Sequence, residues 1–121
     1  MARILLVDDD PGFATVFTAA LTKYGHEAHH VTDGKLALEY LREHECELVL
    51  TDIIMPEMDG VELIVRVKKE FPGLRIIATT GGGIMLPGDY LHTAKLMGAD
   101  ASILKPCSVE DLIETVESVL K

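Results

Sequence analysis

Ile4-Leu5-Leu6-Val7-Asp8-Asp9-Asp10-Pro11 is the stretch on which the fold turns. Four apolar residues without polar alternation read as a short strand buried on both faces. Three aspartates end it at once. The period then changes: Phe13, Val16, Phe17, Ala20, Leu21 and Tyr24 follow helical spacing, and Gly25 supplies a stop. The same unit recurs along the chain. Ala28 to Val31 reads as a second strand, and Asp33 caps a helix to about Arg42 that is buried through Ala37, Tyr40 and Leu41. Leu48-Val49-Leu50-Thr51 is the third strand. Asp59 and Glu62 have capping-box spacing ahead of Val61, Ile64 and Val67, and Phe71-Pro72-Gly73 breaks that helix. Arg75 to Thr79 is the fourth strand, followed by three glycines, Gly81 to Gly83, and a loop with Pro87. Asp89 to Met97 reads as a helix ending at Gly98, and Ala101 to Leu104 as the fifth strand. Ser108 and Asp111 open a last helix lined by Leu112, Ile113, Val116, Val119 and Leu120.

Five βα units imply an α/β fold: a doubly wound five-stranded parallel sheet with helices on both faces. At 121 residues the chain is expected to be one domain, 1–121. Lys and Arg number 11 against 20 Asp and Glu, a net charge of −9, which argues against direct nucleic-acid binding and suits a basic partner or a bound cation. No stretch reaches transmembrane length, and Cys46 and Cys107 stand in no metal-like spacing, so two reduced thiols and a cytoplasmic location are expected.

Ligands of open α/β sheets sit beyond the carboxyl ends of the strands. Strand one ends in Asp8, Asp9 and Asp10, strand three in Asp52, strand four in Thr79 and Thr80, and strand five in Lys105-Pro106. Strands one and three are neighbours in the common doubly wound order, so Asp8, Asp9 and Asp52 converge. A carboxylate pair ~4 Å apart costs about 4 kcal/mol at an effective dielectric near 20. Such a cluster calls for a hard cation, and Mg²⁺ is held by a few carboxylates with water and phosphate. Lys105 adds a fixed positive charge and Thr80 a hydroxyl. One metal, one ammonium and one hydroxyl around a carboxylate are what a transferring phosphoryl group requires.

Four strings now carry a resemblance: Leu6-Val7-Asp8-Asp9-Asp10-Pro11, Thr51-Asp52-Ile53-Ile54-Met55-Pro56-Glu57-Met58-Asp59-Gly60, Ala78-Thr79-Thr80-Gly81 and Leu104-Lys105-Pro106. In this order, each at a strand end, they resemble the receiver domain of two-component response regulators over essentially the whole chain. The resemblance implies a flavodoxin-like sheet of order 2-1-3-4-5. It makes Asp52 the phosphorylated residue, Asp9 a direct Mg²⁺ ligand, Asp8 a ligand through water, and the backbone carbonyl of Ile54 the remaining protein ligand. Thr80 would hydrogen-bond the phosphoryl group and Lys105 would pair with it. Lys105-Pro106 would be a cis peptide. The donor would be a phosphohistidine on a sensor histidine kinase or a histidine phosphotransfer protein. The product would be a signalling phosphoacceptor rather than an enzyme, either switching a downstream protein target or relaying the phosphoryl group, with no membrane partner. Helix one, through Ala14 and Thr18, is expected to offer a docking face to a helical histidine-bearing partner. Ser102 stands where the family often carries an aromatic switch residue, Cys107 where an aromatic or apolar one is usual, and Gly81 to Gly88 is a glycine-rich link. Apolar Ile54 and Gly82 are expected to tune the lifetime of the acyl phosphate.

Other residues have plainer readings. Asp10 suits the N-terminus of the first helix, and Asp33 and Asp59 are caps. His26, His29, His30, His44 and His92 show no ligand spacing. The glycine run lacks the following Lys-Ser/Thr of a P-loop. Asp8-x-Asp10 after a strand also resembles the start of haloacid-dehalogenase-like phosphatases, in which Asp8 would be the nucleophile, but Pro11-Gly12 stand where that motif wants Thr or Val. A receiver-like interaction module independent of phosphate is a third reading.

Overall fold

The structure is a computed structural model that describes residues 2–53, 60–80, 98–105 and 107–121, Thr80 by its backbone alone. The elements are β1 (Arg3–Val7), α1 (Pro11–Lys23), β2 (Glu27–Val31), α2 (Gly34–Glu43), β3 (Leu48–Asp52), α3 (Gly60–Glu70), β4 (Arg75–Thr80), β5 (Ala101–Leu104) and α4 (Val109–Leu120). The five strands are parallel in the order β2-β1-β3-β4-β5. The helix expected over 89–97, the Asp59 cap, Ile54, Gly82, His92 and the Lys105-Pro106 peptide bond involve positions outside the described residues.

Continuous apolar strands have a direct consequence here, because alternate residues feed two cores. Leu5, Val7, Val49, Ile53, Ile76 and Ala78 pack with α2 and α3 on one face. Ile4, Leu6, Leu48, Leu50, Ile77 and Ile103 pack with α1 and α4 on the other. Leu5, Leu48, Leu50, Ile76 and Ile77 are fully buried, each contributing about 1.5–3 kcal/mol relative to an exposed side chain. A polar side chain at one of these core positions would face an apolar layer without a hydrogen-bond partner.

Helix ends follow local chemistry. Asp10 accepts from the N–H groups of Gly12 and Phe13 at 3.0 and 3.4 Å, Asp33 from Leu36 at 2.9 Å and Ser108 from Asp111 at 3.0 Å. At the end of α1 the His26 N–H donates to Leu21 and the Gly25 N–H to Thr22, both at 3.0 Å, with Gly25 at φ 91°. That pair of bonds is the Schellman stop, and the left-handed backbone is why glycine stands there.

Three details depart from the expected pattern. Ala14 is buried (2 % exposed) and Thr18 half-buried with its Oγ1 covered, so they do not form an outward face. Val16 and Tyr24, expected on the apolar stripe, are instead 54 % and 49 % exposed. For Val16 the cause is the position of the stripe, whereas Tyr24 is the C-cap, one residue past the end of α1. α1 buries Ala14, Phe17 and Leu21, and at about 100° per residue Val16 lies roughly 200° from Ala14 while Thr18 lies only about 40° from it. The outward face of α1 is therefore Thr15, Val16 and Ala19. Tyr40 is half-buried, with Leu38 taking a core place on α2 beside Ala37 and Leu41.

Candidate functional site

The strand order puts β1 beside β3, with Val7 paired to Thr51, so the next residue of each strand, Asp8 and Asp52, emerges at the same carboxyl edge. Asp52 is paired in register with Thr79 on β4, and Thr80 with Leu104 on β5, immediately before Lys105. Four strands thus deliver the predicted polar residues to one edge.

Asp8 is fully buried, Asp52 is 7 % exposed and Asp9 is exposed. One carboxylate oxygen from each of the three lies within 4.8 Å of the others. Asp8 Oδ1 accepts from the Asp10 N–H at 2.8 Å, and its Oδ2 accepts from Lys105 Nζ at 2.9 Å. The same ammonium donates to Asp52 Oδ2 at 3.3 Å. Burial works against the Lys105 charge, but the hydrogen bond to Asp8 and the Asp52 and Asp8 charges outweigh it, so the pKa is raised. The Phe13 ring lies 4.0 Å from Nζ, a cation–π contact that holds the lysine from the α1 side. Thr51 Oγ1 donates to the Asp52 carbonyl at 2.9 Å, and Thr79 Oγ1 donates to the Thr51 carbonyl at 3.5 Å, so the β3 end is braced from beneath.

Three carboxylates around one ammonium leave the cleft negative. The donor set is all oxygen, with no thiol or imidazole in the cluster, and suits a hard divalent ion. Two oxygens on one Mg²⁺ stand at most about 4.2 Å apart, so a small side-chain movement would close the cluster on the ion. Asp8, Asp9 and Asp52 fit that ion. Asp10 does not join them, because it is engaged as the α1 cap.

Asp8, Asp9, Asp52 and Lys105 are therefore brought together as expected from their strand ends. Thr80 is at the same edge by its backbone. The Phe13 contact and a bond from His30 Nε2 to the Asp8 carbonyl at 2.7 Å escaped the sequence reading. Phe13 reads simply as core, and a histidine at the end of a strand gives no signal of reaching a neighbouring main chain. Cys46 and Cys107 are unpaired and half-buried; burial, reinforced by Glu47 and Asp111 respectively, pushes both thiols up. Ser102 is half-buried on β5, in register with Ala78.

A parallel 2-1-3-4-5 sheet with an acidic cleft facing one lysine at its carboxyl edge defines a phosphoacceptor-type α/β domain, and comparison with known proteins agrees. The family model for the response regulator receiver domain matches residues 4–117. The response regulator receiver protein CpdR of Brucella abortus is 38 % identical, over 99 % of this chain and 98 % of that protein. Sporulation initiation phosphotransferase F of Bacillus subtilis is 29 % identical over 98 % of this chain and 93 % of that one. The receiver domain of NtrX from Brucella abortus superposes with a TM-score of 0.91 at 29 % identity, over 97 % of each chain. Of a larger relative, the DNA-binding transcriptional regulator NtrC of Azospirillum brasilense, the match spans 24 %. The chain belongs to the receiver-domain family of two-component response regulators.

Proposed function

We propose that Asp52 is the phosphoryl acceptor and that residues 1–121 act as one receiver domain. The observation that carries this is the convergence of Asp8, Asp9 and Asp52 within 4.8 Å, opposed by Lys105 at 3.3 Å from Asp52. The donor is a phosphohistidine on a sensor histidine kinase or a histidine phosphotransfer protein. A carboxylate oxygen of Asp52 attacks phosphorus as the N–P bond breaks. The imidazole leaves with the bonding pair and takes up a proton, and an acyl phosphate remains on Asp52.

Mg²⁺, when bound, neutralises charge on the phosphoryl oxygens. Asp9 and Asp52 would hold it directly and Asp8 through water, with the Ile54 carbonyl as the further protein ligand that the family resemblance implies. Lys105 keeps its charge against Asp52 before transfer and pairs with the phosphoryl group after it. Thr80 then donates its hydroxyl to the same group and signals the change outward. The protein is a signalling phosphoacceptor rather than an enzyme acting on a separate substrate. Its location is cytoplasmic, it acts on a downstream protein or passes the phosphoryl group on, and its acidity disfavours direct nucleic-acid contact. No described helix is long and apolar enough to cross a membrane.

Asp8 as nucleophile, the phosphatase alternative, is disfavoured. Its side chain is fully buried and its two oxygens already accept from Asp10 and Lys105. The test is intact mass after incubation with acetyl phosphate and Mg²⁺. One added phosphoryl group that requires Mg²⁺ and disappears in Asp52→Asn is expected. Equal gain by the variant would move the nucleophile elsewhere and defeat the proposal.

A further inference from the structure

The β1–β2 ladder ends in an unusual way. The last paired residues are Val7 and Val31, and the Asp8 N–H still donates to the Val31 carbonyl at 3.1 Å. In a parallel ladder the next bond would run from the Asp33 N–H to the Asp8 carbonyl. That bond is absent, and Asp33 serves as the cap of α2. The Asp8 carbonyl is met by His30 Nε2 at 2.7 Å instead. A carbonyl oxygen only accepts, so Nε2 carries the hydrogen whether the imidazole is neutral or charged. A side chain thus supplies the donor that the backbone has withdrawn.

The bond falls on the peptide between Asp8 and Asp9. That unit is planar, so holding the Asp8 carbonyl also fixes the plane from which Asp9 departs. Asp8 has other restraints in Asp10 and Lys105. Asp9 is exposed and has no hydrogen bond or ion pair of its own among the described residues. Among the described residues, only the main chain aims its carboxylate at the cleft. We infer that His30 is a positioning residue for the divalent-cation site, holding the Asp8–Asp9 peptide so that the Asp9 carboxylate stands ready beside Asp8 and Asp52. The inference rests on the reading of these three aspartates as the cation site. Partners that orient ligands from outside the coordination shell commonly tune metal affinity.

The test uses Mn²⁺ as the probe, with the free ion counted by electron paramagnetic resonance and Mg²⁺ as competitor. His30→Leu and His30→Met both remove the donor, so a folding defect in one leaves the other. His30→Gln retains an amide N–H at similar reach. Melting temperature in EDTA is recorded for each. The donor-less variants should bind Mn²⁺ about three- to ten-fold more weakly, the scale of one lost hydrogen bond. The Gln variant should stay within about two-fold of the natural protein, since a bond is kept. Unchanged Mn²⁺ affinity in Leu and Met, with only the melting temperature lowered, would make His30 purely structural and overturn the inference. Equal losses in Gln and Leu would also overturn it, because the donor would not be the cause. Mn²⁺ binding by the natural protein that Asp9→Asn leaves untouched would instead remove the site reading itself, and the inference with it.

Discussion

Replacing Asp9 by Asn should stabilise the protein in EDTA and remove most of the stabilisation that Mg²⁺ gives. The carboxylates of Asp8, Asp9 and Asp52 approach within 4.8 Å, and Lys105 pairs with Asp8 at 2.9 Å and Asp52 at 3.3 Å. Asp9 therefore faces two negative charges and one positive charge, or one net repulsion. At that separation a single repulsion is about 0.9 kcal/mol at the dielectric of water and about 3.5 kcal/mol at an effective value of 20. Asp9 is exposed, which places the effect toward the lower end, about 1–2 kcal/mol. Urea unfolding in EDTA at low ionic strength should show the Asn variant shifted to a midpoint roughly 0.5–1 M higher with an unchanged slope. Added Mg²⁺ should raise the midpoint of the natural protein by mass action and leave the variant nearly unmoved. The gap in EDTA should narrow as salt screens the charges. An Asn variant less stable than the natural protein in EDTA, or equally stabilised by Mg²⁺, would refute the claim that this carboxylate is held against repulsion for the sake of a cation.

Two further outcomes follow from single contacts. A Cβ at Gly60 would overlap the Asp52 carbonyl oxygen and the Ile53 Cα and stand 2.9 Å from the Asp52 carbonyl carbon. These are backbone atoms that cannot swing aside, so Gly60→Ala should cost at least the ~1–3 kcal/mol of ordinary overpacking; urea midpoints check it, and the displaced Asp52 should also slow phosphorylation. Lys105 has a raised pKa, so its pairing stabilises fully below the ordinary lysine value and is lost as pH rises through the folded value. Melting temperatures between about pH 9 and 11.5 should fall more steeply for the natural protein than for Lys105→Met, which should start about 3 kcal/mol less stable at neutral pH in EDTA because two buried carboxylates lose their cation; parallel pH profiles would contradict this.

Much of the fold was legible because burial on two faces leaves a plain mark. Strands without polar alternation, such as Ile4 to Val7 and Leu48 to Leu50, require helices above and below, and the helical stretches between them supply those layers. Caps at Asp10, Asp33 and Ser108 and the glycine stop at Gly25 are local chemistry, readable over a few residues. The acidic residues of the site were legible for the same reason, since strand ends in such a sheet share one edge.

Sequence by itself thus determined which residues end each strand and what chemical types they bring to the carboxyl edge. Tertiary structure alone decided their neighbours. The angular placement of α1 on the sheet buries Ala14 and turns Val16 outward, a matter of roughly 200° of helix rotation that an apolar tally does not resolve. Only the packed chain sets the Phe13 ring 4.0 Å from Lys105 and brings His30 to the Asp8 carbonyl at 2.7 Å. These contacts join residues 92 and 22 positions apart (105 − 13 and 30 − 8), and no local periodicity encodes a distance that exists only once the sheet has closed around them.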